Sequence, residues 1–271
     1  MLRQTLICIF AVSALFIQCK KDSNSTPLQL KDTVITGTVR VFDQYGMPVQ
    51  PTPTVQISAW LTDTVGRVTG KQRTAYTNEE GLYRMDSVAV GIYSIRYSAT
   101  GYGDFIQTDV RFDSLGGVGM PEVSLTCFAA GSVRINGIEL SPKSPDSGYG
   151  NSTIANIDRD ITFGTGAFAP YQLKVRYFFG TDSSVLRGNC LFSYISGAVE
   201  GMNGEVESQI VKFGLPNLKT YFKDSTLIYV AAAVETIPSQ IYSNGSKIIY
   251  PNIAFPLANY KTIEFNLNAD E

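Results

Sequence analysis

Between Thr33 and Tyr102, apolar side chains recur at every second position in short runs, each closed by a turn sequence. Ile35, Gly37, Val39 and Val41 share one phase, Val55, Ile57 and Ala59 a second, and Tyr93, Ile95, Tyr97 and Ala99 a third. A strand alternates its side chains between two faces, so runs of this kind bury one face and must pack sheet on sheet. Residues 43–48 and 78–81 supply turns, with Gly46, Gly81 and Gly91 where tight turns favour positive φ. The expectation is an all-β chain in which Tyr83, Tyr93 and Tyr97 place rings in a core and hydroxyls toward its rim.

Beyond residue 121 a second β-rich block begins, with strands expected at 122–128, 132–135, 171–179, 190–195, 205–213, 226–235, 247–250 and 262–267. The run from Leu227 to Val234 is apolar throughout. Its β-branched and aromatic members favour a central strand over the short helix its alanines would allow. Residues 115–121, with three glycines followed by a proline, read as a linker. Two β-sandwich domains are therefore expected, at 33–118 and 121–271.

At the N-terminus, Arg3 precedes an uncharged run over 5–17, and Cys19, Lys20, Lys21 and Asp22 follow. That run is shorter than the ~20 residues a spanning helix needs, so 1–18 reads as a secretory signal peptide. The cysteine just after the apolar core resembles a bacterial lipoprotein signal, and Lys-Lys-Asp behind it resembles the Bacteroidetes form, with Gln18 standing where Gly, Ala or Ser is usual. The resemblance implies acylation of Cys19, palmitate included, as the first residue of the mature chain. It also implies attachment to a membrane of the cell envelope, expected to be the outer membrane. Residues 19–32 would then be a lipidated cysteine and a polar tether; its last thirteen residues reach at most ~45 Å.

A second resemblance rests on Gly37-Thr-Val, Asp43…Gly46-Met-Pro48-Val, Val55-Gln-Ile57, Thr77-Asn-Glu-Glu-Gly81-Leu-Tyr83, Val90-Gly91-Ile-Tyr93-Ser-Ile95 and Gly101-Tyr102. These residues look like a carboxypeptidase regulatory-like domain, a family whose fold is a transthyretin-like seven-stranded sandwich. The match covers residues 33 to 112, and it implies a fold without implying an activity. The later block, from Tyr171 through Tyr250, loosely resembles a fibronectin-III or immunoglobulin-like sandwich.

Chemistry is constrained first by what is missing: the chain has no histidine. That removes the commonest general base and metal ligand, and every Ser-His or Cys-His nucleophile. Gly116, Gly117 and Gly119 lack the lysine and helix of a phosphate-binding loop. The formal charge of −2 becomes −3 once Arg3 leaves with the signal, too weak and mixed to suggest nucleic acid as a partner. No cofactor is expected. Of four cysteines, Cys8 goes with the signal and Cys19 to lipid, leaving Cys127 and Cys190 either bridged or, as their strand-like surroundings favour, separately buried.

Carboxylate pairs that strand spacing places on one face, Asp158 with Asp160 and Glu205 with Glu207, together with Glu79 and Glu80, could serve glycoside hydrolysis. Asp158 and Asp160 are also weak metal candidates, without the further oxygen ligands calcium needs. Solvated strand faces carry such pairs routinely. Aromatics offer more, since Trp60, the single tryptophan, falls out of phase with Val55, Ile57 and Ala59 and borders the long loop 61–72. Tyr76 and Tyr102 also lie near turns and join Trp60 as candidate ligand contacts. The leading expectation is a non-enzymatic cell-envelope lipoprotein that binds a glycan or an outer-membrane protein. The alternatives are a fimbrial subunit polymerising by strand addition and, behind it, a carboxylate-pair glycoside hydrolase.

Overall fold

The computed structural model describes residues 33–113, 116–141, 153–187, 189–215, 218–222, 227–244, 247–253 and 260–264, side chains 186, 187 and 219 excepted. The signal, Cys19 and the tether lie outside these residues. The first sandwich is built from β1 (Thr33–Phe42), β2 (Gln56–Thr62), β3 (Arg73–Tyr76), β4 (Leu82–Val88), β5 (Gly91–Ser98), β6 (Phe105–Phe112), β7 (Gly117–Gly119) and β8 (Val123–Thr126). One sheet is β3-β2-β5-β6, antiparallel throughout. In the other, β4 pairs antiparallel with β1, whose far edge takes β7 and then β8 in parallel.

The alternation read from the sequence becomes the core: Ile35, Val39, Val41, Val55, Ile57, Ala59, Ile95 and Tyr97 are each at most 1% exposed. Gly37 sits in the inward phase because the Tyr83 ring lies across it, and a Cβ there would come within 2.6 Å of the Tyr83 hydroxyl. The tyrosines differ from expectation in one respect. Tyr83 and Tyr97 bring their hydroxyls together inside the core at 3.2 Å, and Tyr97 donates on to Gln107 Oε1 at 3.2 Å. Each hydroxyl thus finds its partner in the other ring, with no need to reach the rim.

The second sandwich comprises β9 (Gly131–Ser141), β10 (Ile154–Phe163), β11 (Tyr171–Gly180), β12 (Phe192–Ile195), β13 (Val199–Gly201) and β14 (Val206–Gly214), then a five-residue helix α1 (Leu218–Phe222). It is completed by β15 (Leu227–Glu235), the hairpin of β16 (Tyr242–Asn244) and β17 (Lys247–Ile249), and β18 (Tyr260–Glu264). Sheet β14-β10-β9 packs on β12-β11-β15-β18, with β13 also on β11, over a core that includes Ile157, Ile161, Phe163, Leu173, Tyr177 and Val230. The outer face of β11 and β15 is covered as well: Phe178, Ala231 and Ala233 pack under Tyr250 and Ile253. That double burial explains why 227–234 reads apolar on both phases.

Two features depart from the sequence reading. The expected linker 115–121 carries β7, and the strand expected at 122–128 is β8 of the first sandwich. The chain crosses between the sandwiches at 127–130, because main-chain pairing to β1 satisfies a glycine-rich segment that has few side chains to signal a strand. Strand β10 carries Asp158 and Asp160 on one face, as their spacing implies, but extends over a ten-residue span absent from the expected strands, since Arg159 interrupts its inward phase. The sandwiches meet through the turn at 43–47: Ala130 donates its N–H to Gln44 O at 2.9 Å, Tyr45 donates to Thr165 O at 2.7 Å, and the Tyr45 and Tyr171 rings meet edge to face at 5.0 Å. Phe105 and Tyr242 add a second edge-to-face contact at 5.7 Å. No helix among the described residues is long and apolar enough to cross a membrane.

Candidate functional site

Strand β2 delivers two sets of side chains. Ile57 and Ala59 go to the core, while Gln56, Ser58 and Trp60 stand on the outer face of β3-β2-β5-β6. Trp60 is half-buried there, opposite Ser94, and no other aromatic ring among the described residues packs on it. Tyr76 lies opposite Gln56 on edge strand β3 and is 60% exposed. Four residues of strand separate the Trp60 and Gln56 positions, about 13 Å.

Between the two rings an amide and hydroxyl cluster is already organised. Gln56 Nε2 donates to Ser58 Oγ at 3.1 Å, and Gln72 Nε2 donates to the same oxygen at 3.0 Å and to Thr74 Oγ1 at 3.3 Å. The two amides cover Ser58, which is 3% exposed although it faces outward. Each amide keeps a carbonyl oxygen for a further donor. Beside them a cleft of about 330 Å³ is lined by Thr54, Gln56, Tyr76, Ser98, Ala99 and Thr100. Arg96, opposite Ser58, is paired with Asp104. The amide cluster is therefore rich in hydrogen-bonding groups and flanked by the exposed Tyr76 and the half-buried Trp60.

The third aromatic candidate lies elsewhere. Tyr102 packs against the first core near Cys127, whose thiol donates to Gly101 O at 3.4 Å, and burial raises the pKa of both groups. Cys127 and Cys190 are both free, and both are half-buried. Burial also raises the Cys190 thiol. Asp158 and Asp160 stand on the outer face of β10, where Asp160 accepts from Ser208 Oγ at 2.5 Å and is held below the usual carboxylate range, chiefly by that bond and one from Asn136. Among the described residues no three His, Cys, Asp or Glu side chains group to hold a metal ion.

A larger hollow of about 670 Å³ lies in the second sandwich, lined among others by Asp182, Cys190, Phe192, Ser193, Lys247 and Tyr250. Three of its lining side chains, Phe192, Ser193 and Tyr250, are already engaged. Ser193 Oγ and the Tyr250 hydroxyl are 2.9 Å apart, Tyr250 is 7% exposed, and Phe192 stacks on Phe179 at 4.9 Å. The smaller face on β2 leaves the Tyr76 ring and the amide oxygens of Gln56 and Gln72 open. Two of the candidates named from the sequence, Trp60 and Tyr76, lie on this face, together with Gln56, Ser58 and Gln72, which the sequence reading did not single out. The signal was present in the second phase of the same strand, Gln56-Ser58-Trp60.

Fold and face together define a tandem β-sandwich protein with an exposed aromatic and amide surface. No protein-family model matches the chain, and no curated protein matches it. Among solved structures it is similar to a DUF3823 family protein from Bacteroides uniformis, at 11% identity over 86% of this chain and 99% of that one, with a TM-score of 0.28. It is also similar to a carbohydrate-binding candidate from Bacteroides uniformis, at 15% identity over 86% and 99% of the two chains, with a TM-score of 0.27. A DUF3823 family protein from Parabacteroides merdae gives 11% identity, 87% and 100% coverage and a TM-score of 0.25.

Proposed function

We propose that the chain is a non-enzymatic lipoprotein of the cell envelope whose first sandwich binds neutral glycans on the face carrying Trp60 and Tyr76. One observation carries the reading: a half-buried tryptophan ring, free of ring partners among the described residues, shares a sheet face with the exposed Tyr76 and a pre-formed amide cluster. A sugar ring offers C–H groups to an aromatic face and hydroxyls to amides, which is the complement of this surface. Arg96, the cation beside the amide cluster, is already paired with Asp104. The face is open and covers a ligand on one side only, so affinity is expected to be weak and to rise with oligosaccharide length.

Anchoring through Cys19 at the outer membrane belongs to the same proposal and rests on the sequence pattern alone. In the same reading the first block is a carboxypeptidase regulatory-like module, supported by its two facing sheets and seven strand positions if β7 and β8 count as one interrupted strand. The second block is read as a fibronectin-III or immunoglobulin-like sandwich.

Because Trp60 is the single tryptophan, its fluorescence reports the site directly. Titration with neutral oligosaccharides should shift or quench the emission. Trp60→Ala and Gln72→Ala should abolish binding on a glycan array, whereas Phe192→Ala should not. Absence of any neutral-glycan binding, with capture of an outer-membrane protein instead, would replace the glycan reading. Cys19→Ser should move the protein from the detergent to the aqueous phase in phase partitioning; unchanged partitioning would remove the lipid anchor.

A further inference from the structure

A free sheet edge exposes a row of unbonded N–H and C=O groups, and folded proteins blunt such edges with short strands, bulges or covering segments. Nearly every edge here is blunted. Strand β3 has four residues, β12 four, β13 three and β18 five. Strand β6 is shifted in register against β5 and carries Asp109 at φ 58°. Strand β4 carries Ser87 at φ 58° and faces a register shift in β1. Strand β9 is shifted at its centre, and its Val133 and Ile135 have further partners. Strand β14 differs: nine residues pair with β10 from Ile154↔Gly214 to Thr162↔Val206 without a break, and no described strand takes its other side.

The phase of that edge is fixed. Phe163 donates its N–H to Glu205 O, and Leu215 donates to Thr153 O, so odd-numbered residues of β14 bond to β10. The backbone groups of Val206, Ser208 and Ile210 consequently point away from the sheet. The side chains of Val206 and Ile210 are 57% and 62% exposed on the same strand. We infer that β14 pairs antiparallel with β14 of a second copy of this chain, about a two-fold axis at Ser208.

Charge and polarity select that register. Centred on Ser208, Val206 faces Ile210 of the second copy twice, and Glu207 faces Gln209. A one-residue slip toward Glu207 sets the two Glu207 carboxylates directly opposite each other, which is unfavourable, and the opposite slip sets Val206 against Lys212. Three residue pairs then exchange both backbone bonds, and two apolar pairs leave water. An isologous contact of this kind closes at two copies, so it gives a dimer and not a filament. The interface is small and belongs to the weak class.

The test is sedimentation equilibrium of the full chain through the micromolar range. Of the backbone groups Ser208→Pro removes only the N–H that points away from β10, a position where an edge strand tolerates proline, and it also removes the exposed hydroxyl bond to Asp160. Ile210→Lys sets a charge against Val206 of the second copy and serves should proline disturb the fold. A concentration-dependent dimer is expected, with both variants raising its dissociation constant at least about tenfold and leaving the circular dichroism unchanged. In a Cys127→Ser, Cys190→Ser background, a short bis-maleimide should join Ser208→Cys to itself, and Val206→Cys to Ile210→Cys in a mixture more than to itself. A strictly monomeric wild type, or a dimer that survives both edge variants, would overturn the inference.

Discussion

Glu235 on β15 accepts hydrogen bonds from both Nε and Nη2 of Arg176 on β11, the latter at 3.1 Å, with the acid fully buried and the base nearly so. In register Arg176 opposes Ala233, so Glu235 is its diagonal neighbour on the same face. The guanidinium also lies 4.9 Å from the centroid of the Tyr250 ring. The pair thus fastens the outer face of the β11-β15 sheet to the segment that crosses it.

Removing one member should be far worse than removing both. Glu235→Ala leaves a buried cation without its counter-charge and is expected to cost about 3–5 kcal/mol. Arg176→Met combined with Glu235→Leu should lose much less. Urea denaturation of the three variants measures this, and a double variant as unstable as Glu235→Ala would show that packing, and not charge, dominates here.

Alkaline pH should unfold the protein through its core tyrosines. Burial pushes the Tyr177 hydroxyl up to about 12, against the lowering pull of Arg159, whose Nη1 donates to it at 2.6 Å. Tyr97 is raised further by burial and by Tyr83, and Tyr83 is raised by burial against its bond to Tyr97. A folded-state pKa above the unfolded value of ~10 contributes stability that is complete below pH ~10 and falls as pH rises through the folded value. For Tyr177 alone this amounts to about 3 kcal/mol lost between pH 10 and 12. Stability measured in urea across pH 9–12 should decline, and Tyr177→Phe should make that decline shallower.

Two glycines with matched backbone separate conformational strain from collision. Gly66 and Gly81 have φ of +79° and +80°, but a Cβ on Gly66 would meet nothing, whereas one on Gly81 would lie 2.2 Å from Val39 O. Gly66→Ala should cost about 1 kcal/mol and Gly81→Ala about 2–4 kcal/mol. Equal thermal shifts in the two variants would mean that the 78–81 turn can move away from β1.

The free cysteines give a chemical check. In the denatured, unreduced chain, peptides containing Cys127 and Cys190 should both take up iodoacetamide completely. In the folded chain at neutral pH both should react slowly, because burial disfavours their thiolates.

What the sequence by itself determined is what depends on near neighbours. The alternation of Val55, Ile57 and Ala59 set both the strand and its inward face, the out-of-phase Trp60 set the exposed one, and the 43–48 and 78–81 turns followed from their glycines. Tertiary structure decided everything that depends on a partner far along the chain. Residues 116–119 are a strand only because β1 is there to pair with them. Arg159 broke the apolar alternation of β10, yet it is 1% exposed, because Tyr177, Ser196 and Gln209, respectively 18, 37 and 50 residues away, accept its hydrogen bonds. Arg176 and Glu235, 59 residues apart, are buried on the same terms. Apolar burial follows a local period of two and can be read along the chain. Burial of a charge is affordable only once distant strands have brought its partners, and that is settled by the fold.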